Sequence, residues 1–103
     1  MAAKGYWMVR VDITDLEQYK KYVAGNGVAF AKYGARFLAR AGQHQVLEGT
    51  SRSRNVIIEF PSYQAALDCW HSPEYQEVMK IRTPVSTADL VVIEGYEGPQ
   101  PGA

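Results

Sequence analysis

Apolar and polar side chains alternate along several short segments of the chain, a pattern typical of β-strands with two distinct faces. Residues 5–12 alternate in this way, and the runs 56–60 and 89–96 are rich in β-branched residues. A shorter extended run covers 35–40. A further run, 43–48, is either a strand or one arm of a wide hairpin. The pattern therefore predicts at least four strands.

A helical region follows the first predicted strand. Thr14 and Glu17 have the spacing of a capping box, in which a hydroxyl and a carboxylate satisfy backbone amides of the first helical turn. Apolar residues at helical spacing follow and predict a helix over about residues 15–33. Gly34 stands where a left-handed residue commonly ends a helix, so the helix is expected to stop there.

A second helical region is interrupted by a Ser-Pro pair. Ser62 can cap a short helix that ends near Trp70 and His71, because helical geometry is disfavoured just before a proline. Ser72 and Pro73 suit the N-cap and the first position of a new helix. The stretch is therefore predicted to form two short helices.

The order of these elements is β-α-β-β-α-β, the plan of a ferredoxin-like α+β domain. We expect an antiparallel sheet covered by helices on one face. A chain of 103 residues suits one domain, which we assign to residues 1–96. Residues 97–103 are rich in Gly and Pro and are expected to form a flexible tail.

The segment Gly25-Asn26-Gly27 lies inside the first predicted helix, although each glycine there costs about 1 kcal/mol relative to alanine. Two explanations stay open. The glycines allow a kink or close packing on the sheet, or they leave a gap that admits a ligand between helix and sheet.

The sheet face turned away from the helices predicts a second copy of the chain as partner. Alternation places a mixture of large apolar and charged side chains on this face: Tyr6, Met8, Arg10, Ile57 and Glu59. An apolar patch of this kind is costly to leave in water, and symmetric pairing of two sheets would cover it. We therefore expect a homodimer formed through this face.

Charge and composition narrow the partners and cofactors. The 11 Lys and Arg balance the 11 Asp and Glu, so no basic field favours nucleic acid or an anionic membrane. No apolar run approaches the roughly 20 residues of a membrane span. The single cysteine, Cys69, and the absence of a signal-peptide pattern favour the cytoplasm. His44 and His71 have no metal-ligand spacing, and the glycines match no nucleotide-binding motif, so we expect neither cofactor.

One interpretation is a protein that binds or transforms a small, partly apolar organic molecule. Seven Tyr and two Trp exceed what so small a core needs, and a pocket would lie between sheet and helices or inside the dimer. His71 or Glu59 would move a proton there. Aromatic and cationic side chains would line the pocket: Tyr6, Trp7, Arg10, Arg36, Arg54, Trp70 and Tyr75. One of the arginines would hold a carboxylate or enolate.

Each candidate also has a structural explanation. Glu59 and Arg10 can pair across neighbouring strands, Arg54 can be a solvated loop residue, and His71 suits a helix C-terminus. Cys69 fits a small core residue better than a nucleophile. The alternative is therefore a non-catalytic homodimer with an interaction or stress-related role and a closed, dry interior.

Several segments appear in the order found in one known family. They are Gly5-Tyr6-Trp7, Tyr33-Gly34-Ala35-Arg36-Phe37-Leu38, Val46-Leu47-Glu48-Gly49, Ile58-Glu59-Phe60-Pro61-Ser62, Ser72-Pro73-Glu74-Tyr75-Gln76 and Ile93-Glu94-Gly95. Over about residues 4–96 the chain resembles the short proteins called "domain of unknown function 1330". The resemblance implies a dimeric α/β-barrel of the ferredoxin-like type, similar in architecture to small antibiotic-biosynthesis monooxygenases. It implies no activity, because fold alone does not determine chemistry.

Overall fold

The structure is a computed structural model that describes residues 3–102. Its helices and strands are β1 (Gly5–Ile13), α1 (Leu16–Gly25), α2 (Gly27–Lys32), β2 (Arg36–Arg40), β3 (Arg54–Phe60), α3 (Tyr63–His71), α4 (Pro73–Arg82) and β4 (Ser86–Glu94). A single 3₁₀ turn, Thr83–Val85, leads from α4 into β4. Within residues 3–102, every helix is too short or too polar to cross a membrane.

The four strands form one antiparallel sheet in the order β2-β3-β1-β4. β1 lies at the centre, where Trp7 is opposite Ile58 of β3 and Val92 of β4. The helices cover one face of this sheet, and the buried side chains of the strands point toward them. The predicted ferredoxin-like α+β fold is confirmed.

The core on the helix side is organised around Trp7, which is 0% exposed. Its ring centroid lies 5.3 Å from those of Phe30 and Phe60 and 4.9 Å from that of Tyr75. Edge-to-face geometry with Phe30 and Tyr75 is favourable for aromatic pairs. The indole Nε1–H donates to the carbonyl of Ala66 at 2.9 Å. This bond satisfies the one polar atom that Trp7 brings into the core.

The capping box predicted at Thr14 and Glu17 is wrong by one residue. Asp15 is the N-cap of α1, and its carboxylate accepts the backbone N–H of Gln18 at 3.2 Å. The backbone N–H of Thr14 instead donates to the carbonyl of Val85 at 2.9 Å, which holds Thr14 beside the entry to β4. The helix therefore starts one residue later.

The single helix predicted over 15–33 is two helices, interrupted at Asn26. Backbone hydrogen bonds still run from Asn26 to the Tyr22 carbonyl and from Phe30 to the Asn26 carbonyl, so the interruption is a local kink. Added at Gly25, a Cβ would lie 3.0 Å from a methyl group of Val78 on α4. The close packing at this point is thus against α4 and not, as expected, against the sheet.

The predicted break between the last two helices is confirmed at Ser72. Its hydroxyl donates to the carbonyl of Cys69 at 2.7 Å and accepts the backbone N–H of Tyr75 at 3.1 Å. One buried side chain therefore ends α3 and caps α4. Gly34, with a φ of 73°, has the left-handed conformation expected after α2.

Residues 41–53 connect β2 to β3 without a helix or strand, so the run 43–48 is not a strand. Ala41 has a φ of 56°, and its N–H donates to the carbonyl of Asn55 at 2.8 Å. β2 itself carries a bulge at Leu38. The chain therefore leaves the sheet after Arg40 and rejoins it at Arg54.

Candidate functional site

A small cavity lies between the inner face of the sheet and helices α1, α2 and α4. Its volume is about 30 Å³, and a water molecule needs about 10–15 Å³ on this measure. The walls combine aromatic and polar side chains, including Trp7, Tyr19, Tyr22, Asn26, Phe30, Arg54 and Tyr75. Phe37 and Arg40 of the edge strand β2 also line it and are exposed. The cavity thus reaches the surface beside β2.

Two tyrosines from different helices meet at the cavity. The hydroxyls of Tyr22 on α1 and Tyr75 on α4 are 2.8 Å apart and buried. Burial raises the pKa of each phenol; Tyr75 adds to the rise at Tyr22, whereas the Arg82 cation opposes the rise at Tyr75. Both phenols are therefore neutral near pH 7; one donates to the other, which keeps its own O–H as a donor.

Two arginines lie over neighbouring tyrosine rings beside the cavity. The guanidinium carbon of Arg54 is 5.5 Å from the ring centroid of Tyr19, and that of Arg82 is 5.6 Å from the ring centroid of Tyr22. Arg82 is only 6% exposed. In both arginines the Nε atom is buried and has no hydrogen-bond partner among residues 3–102. Burial raises the pKa of Tyr19, and both cations oppose that rise.

Asn26, at the kink between α1 and α2, is 6% exposed and lines the cavity. A polar side chain at this depth is unusual unless it finds a partner. The kink thus brings an amide group to the cavity, next to the phenol of Tyr22.

The outer face of the sheet holds a second, wider hollow of about 320 Å³. Met8, Arg10, Ile57, Asp89 and Val91 contribute to its walls. The three apolar members are 38% to 53% exposed. This face therefore presents apolar surface to water, as the alternation predicted.

Four of the predicted site residues lie on this outer face. The hydroxyl of Tyr6 donates to Glu59 at 3.4 Å, and Arg36 lies 3.9 Å from the same carboxylate. Arg10 is opposite Asn55 and Asp89 in the sheet. The cross-strand pairing expected between Glu59 and Arg10 is therefore wrong. The strand register places Arg36 opposite Glu59.

The outer face also carries an ion-pair network around Arg52. Its guanidinium lies 2.9 Å from Asp12 and 2.8 Å from Asp89, and the backbone N–H of Ser53 donates to Asp12 at 3.0 Å. The Ser53 amide, followed by Arg52, lowers the pKa of Asp12. These contacts tie the end of the 41–53 connection to the sheet.

The end of α3 contains the remaining predicted site residues. Trp70 is partly buried, with its ring centroid 5.5 Å from that of Tyr75. His71 is exposed and lines neither the inner cavity nor the outer hollow. Cys69 is 0% exposed, and burial raises the pKa of its thiol to about 12. Residues 3–102 contain no group of three or more His, Cys, Asp or Glu side chains placed to hold a metal ion.

The structure brings together only part of the predicted site. Trp7, Arg54 and Tyr75 line the inner cavity, and Trp70 packs on Tyr75. The sequence interpretation missed three residues that line the cavity, Tyr19, Tyr22 and Asn26, and a fourth, Arg82, that lies over the ring of Tyr22. The spacing of the first two on one helical face, and an Asn between two glycines, were signals that could have found three of them.

The chain is similar to one protein family and to several solved structures. The profile of the family described as "Domain of unknown function (DUF1330)" matches residues 4–96. A search of curated proteins finds no match. A protein of unknown function from Rhodopseudomonas palustris is 18% identical, with a TM-score of 0.73 over 95% of this chain and 86% of that chain.

Two further structures have the same fold. SnoaB, a cofactor-independent oxygenase from Streptomyces nogalater, is 13% identical, with a TM-score of 0.67 over 97% of this chain and 99% of that chain. A dimeric ferredoxin-like protein of unknown function from Thermobifida fusca is 10% identical, with a TM-score of 0.56 over 91% and 92%. At these identities the likeness establishes the architecture only.

Proposed function

The chain belongs to the DUF1330 family, and from this premise we propose that its inner cavity binds a small, partly apolar organic molecule. One observation carries the proposal: buried polar groups from three elements converge on an aromatic-lined space. They are the phenols of Tyr22 and Tyr75 and the unpartnered Nε of Arg54. Ligand pockets have this composition, apolar walls with a few convergent polar groups.

A core without a ligand would have little reason to hold these groups. Burying a polar group without a partner costs about 1–3 kcal/mol in proteins. The aromatic residues around Trp7 could fill the same space with apolar side chains alone. The unpartnered Nε of Arg54 among these aromatic walls is therefore more consistent with recognition of a ligand than with packing.

The cavity must widen to admit a molecule, since ligand pockets typically span about 300–1,000 Å³ and this one has about 30 Å³. β2 is the element we expect to move. It is a short edge strand whose five residues are all exposed, and it carries the bulge at Leu38. Displacing Phe37 would widen the opening of the cavity beside β2, because the ring of Phe37 packs on that of Phe30 with a centroid distance of 5.6 Å.

The bound molecule would meet a hydrogen-bond donor, because one O–H of the neutral Tyr22–Tyr75 pair is free while the other is used between the two phenols. Such donors stabilise negative charge that develops on a carbonyl oxygen. SnoaB, which shares the fold, acts as an oxygenase without a cofactor; this supports a small-molecule site, and our proposal includes no metal or nucleotide. The roles predicted for His71 and Glu59 as proton carriers stay predictions, and both lie away from the inner cavity.

A second proposal concerns the outer face, where a specific observation favours a homodimer. Met8, Ile57, Val91 and Ile93 are 38% to 53% exposed on one side of the sheet. A second copy would bury them, and the dimeric neighbour from Thermobifida fusca has the same fold. Tyr6, Arg10, Arg36 and Glu59 would then lie in or near the interface. In the alternative, a protein with only a non-catalytic interaction role, this face would be the functional surface.

We also propose that the protein is located in the cytoplasm. This proposal rests on the single cysteine, Cys69, which is buried as a free thiol and forms no disulfide within the chain. Fractionation of cells producing the protein would test it.

The small-molecule proposal is tested by native mass spectrometry after incubation with the small-molecule fraction of a cell extract. We expect added mass that is retained under native conditions and lost on denaturation. Leu90→Trp, which fills the cavity, should abolish it, whereas Leu47→Trp, the same change at a position that is 82% exposed and away from the cavity, should not. Bare protein in every sample, or equal loading of Leu90→Trp, would contradict the proposal.

A further inference from the structure

The inner cavity has an unusual charge balance. Arg54 stands at the start of β3 and Arg82 at the end of α4, and the structure places them over two tyrosine rings whose centroids are 5.4 Å apart. Arg54 lines the cavity, whereas Arg82 lies behind its wall, over the ring of Tyr22. Two positive charges from elements distant in sequence are thus close to one small space. Charges rarely enter a protein interior unless they are paired.

No carboxylate among residues 3–102 pairs with either arginine. The ion pairs of this part of the chain use other cations: Lys20, Lys32, Arg36, Arg52 and Lys80. The Nε atoms of Arg54 and Arg82 are both buried without a hydrogen-bond partner. The inner region is therefore cationic and has donors to spare.

Structural roles explain the positions of the two guanidinium groups, but they do not explain why both Nε donors lack a partner. Arg82 lies in the last turn of α4, where the helix dipole favours a cation, and both guanidinium groups gain from the tyrosine ring faces. Those contacts act through charge and ring faces. They leave the two Nε–H donors without an acceptor. A guanidinium pairs best with a planar group that has two acceptor oxygens.

We infer that the ligand of the inner cavity carries a carboxylate on a small apolar body, and that Arg54 and Arg82 supply its counter-charge. The inference rests on the proposed function and narrows the class of ligand. One of the two phenols, Tyr22 or Tyr75, donates to the other, and the remaining O–H of the pair then contributes a further donor to the same group. The aromatic walls, Phe30 among them, would cover the apolar body.

The test is calorimetric titration with matched pairs of acid and amide: acetate and acetamide, benzoate and benzamide, 2-naphthoate and 2-naphthamide. Within a pair the shape is nearly constant and only the charge differs. At one fixed salt concentration, we expect at least one acid to bind about tenfold or more tightly than its amide, because charge-assisted hydrogen bonds are roughly twice as strong as neutral ones.

Variants assign that preference to the two arginines. Arg54→Gln and Arg82→Gln should each remove most of the preference for the acid, whereas Lys20→Gln, which removes an exposed cation of α1, should keep it. Because Arg82 is buried, the Arg82→Gln variant is used only if its circular dichroism spectrum matches that of the wild type. If it does not, the test relies on Arg54→Gln, which changes a less buried residue.

Three results would overturn the inference. Equal binding of acid and amide would refute the carboxylate and leave the proposed small-molecule site standing. A preference for the acid that survives in the arginine variants would place the anion elsewhere. Failure of every pair to bind would count against both the inference and the proposed function.

Discussion

The two faces of the sheet are built from alternating residues of the same strands, yet they leave opposite kinds of groups unsatisfied. The inner face, packed by helices, buries the Nε donors of Arg54 and Arg82 without partners. The outer face pairs its charges, as Arg52 does with Asp12 and Asp89, but exposes apolar side chains. Each face thus has a costly feature that a second molecule would remove: a small ligand inside, another chain outside.

The largest expected effect is a difference between the two faces in how much a side chain contributes to the free energy of unfolding. Trp7→Ala should lower the free energy of unfolding by about 3–5 kcal/mol, since it deletes the centre of the buried aromatic cluster. Met8→Ala, one residue further on and 49% exposed on the outer face, should cost less than half as much. Urea unfolding at one protein concentration measures both. Similar losses for the two variants would refute the assignment of the core to one face.

The next prediction concerns association through the outer face. Ile57→Asp should raise the dissociation constant of the dimer about 30-fold or more, because a charge at a central contact costs 2 kcal/mol or more. Leu16→Asp places the same charge at a 55% exposed position of α1 and should leave the dimer intact. Sedimentation velocity over a concentration series measures the effect. A wild-type protein that stays monomeric, or an Ile57→Asp variant that dimerises normally, would contradict the predicted interface.

A smaller effect is expected from the phenol pair at the inner cavity. Tyr22→Phe or Tyr75→Phe alone should cost about 1–3 kcal/mol of stability, since each leaves the other hydroxyl buried without its partner. The double variant should cost clearly less than the sum of the two. Urea unfolding of the four proteins gives the coupling energy. Strictly additive losses would mean that the two hydroxyls do not interact.

The smallest expected effect is on the pH dependence of stability, and it comes from the ion-pair network around Arg52 on the outer face. The Ser53 amide and Arg52 hold the pKa of Asp12 below its ordinary value of 3.8, so its contribution to stability is present above that pH and is lost as the pH falls through the lowered value. Asp12→Asn should therefore lose less stability than wild type on acidification below about pH 4. Thermal melts across this range measure it, with Glu94→Gln as control. An acid loss equal to wild type would contradict the assignment.

Local patterns predicted much of the fold, because their causes lie within a few residues. Period-two alternation separated Trp7 from Met8 correctly, since it depends only on strand geometry. Ser72 was recognised as a cap because a hydroxyl before a proline acts on the next turn. The capping box failed because the choice between Thr14 and Asp15 depends on the distant carbonyl of Val85.

The candidate site was harder to predict because it depends on strand register and helix packing. Arg10 and Arg54 were assigned to one pocket, but Arg54 is opposite Val11 and Arg10 is opposite Asn55, so they lie on different faces. Alternation places Arg54 on the same face as Val56 and Ile58, but the strand was predicted to begin at Val56 and Arg54 was assigned to a loop. By contrast, the contact between Tyr22 and Tyr75 arises only when α1 packs on α4.

The most direct test of the inner site is nuclear magnetic resonance of the ¹⁵N-labelled protein during titration with benzoate. Two side-chain amides serve as matched reporters: Asn26 lines the inner cavity and Asn55 lines the outer hollow. We expect saturable shifts of the Asn26 amide and of the Arg54 Nε–H signal, with the Asn55 amide unchanged. Shifts confined to Asn55, or no saturable shift at either amide, would contradict it.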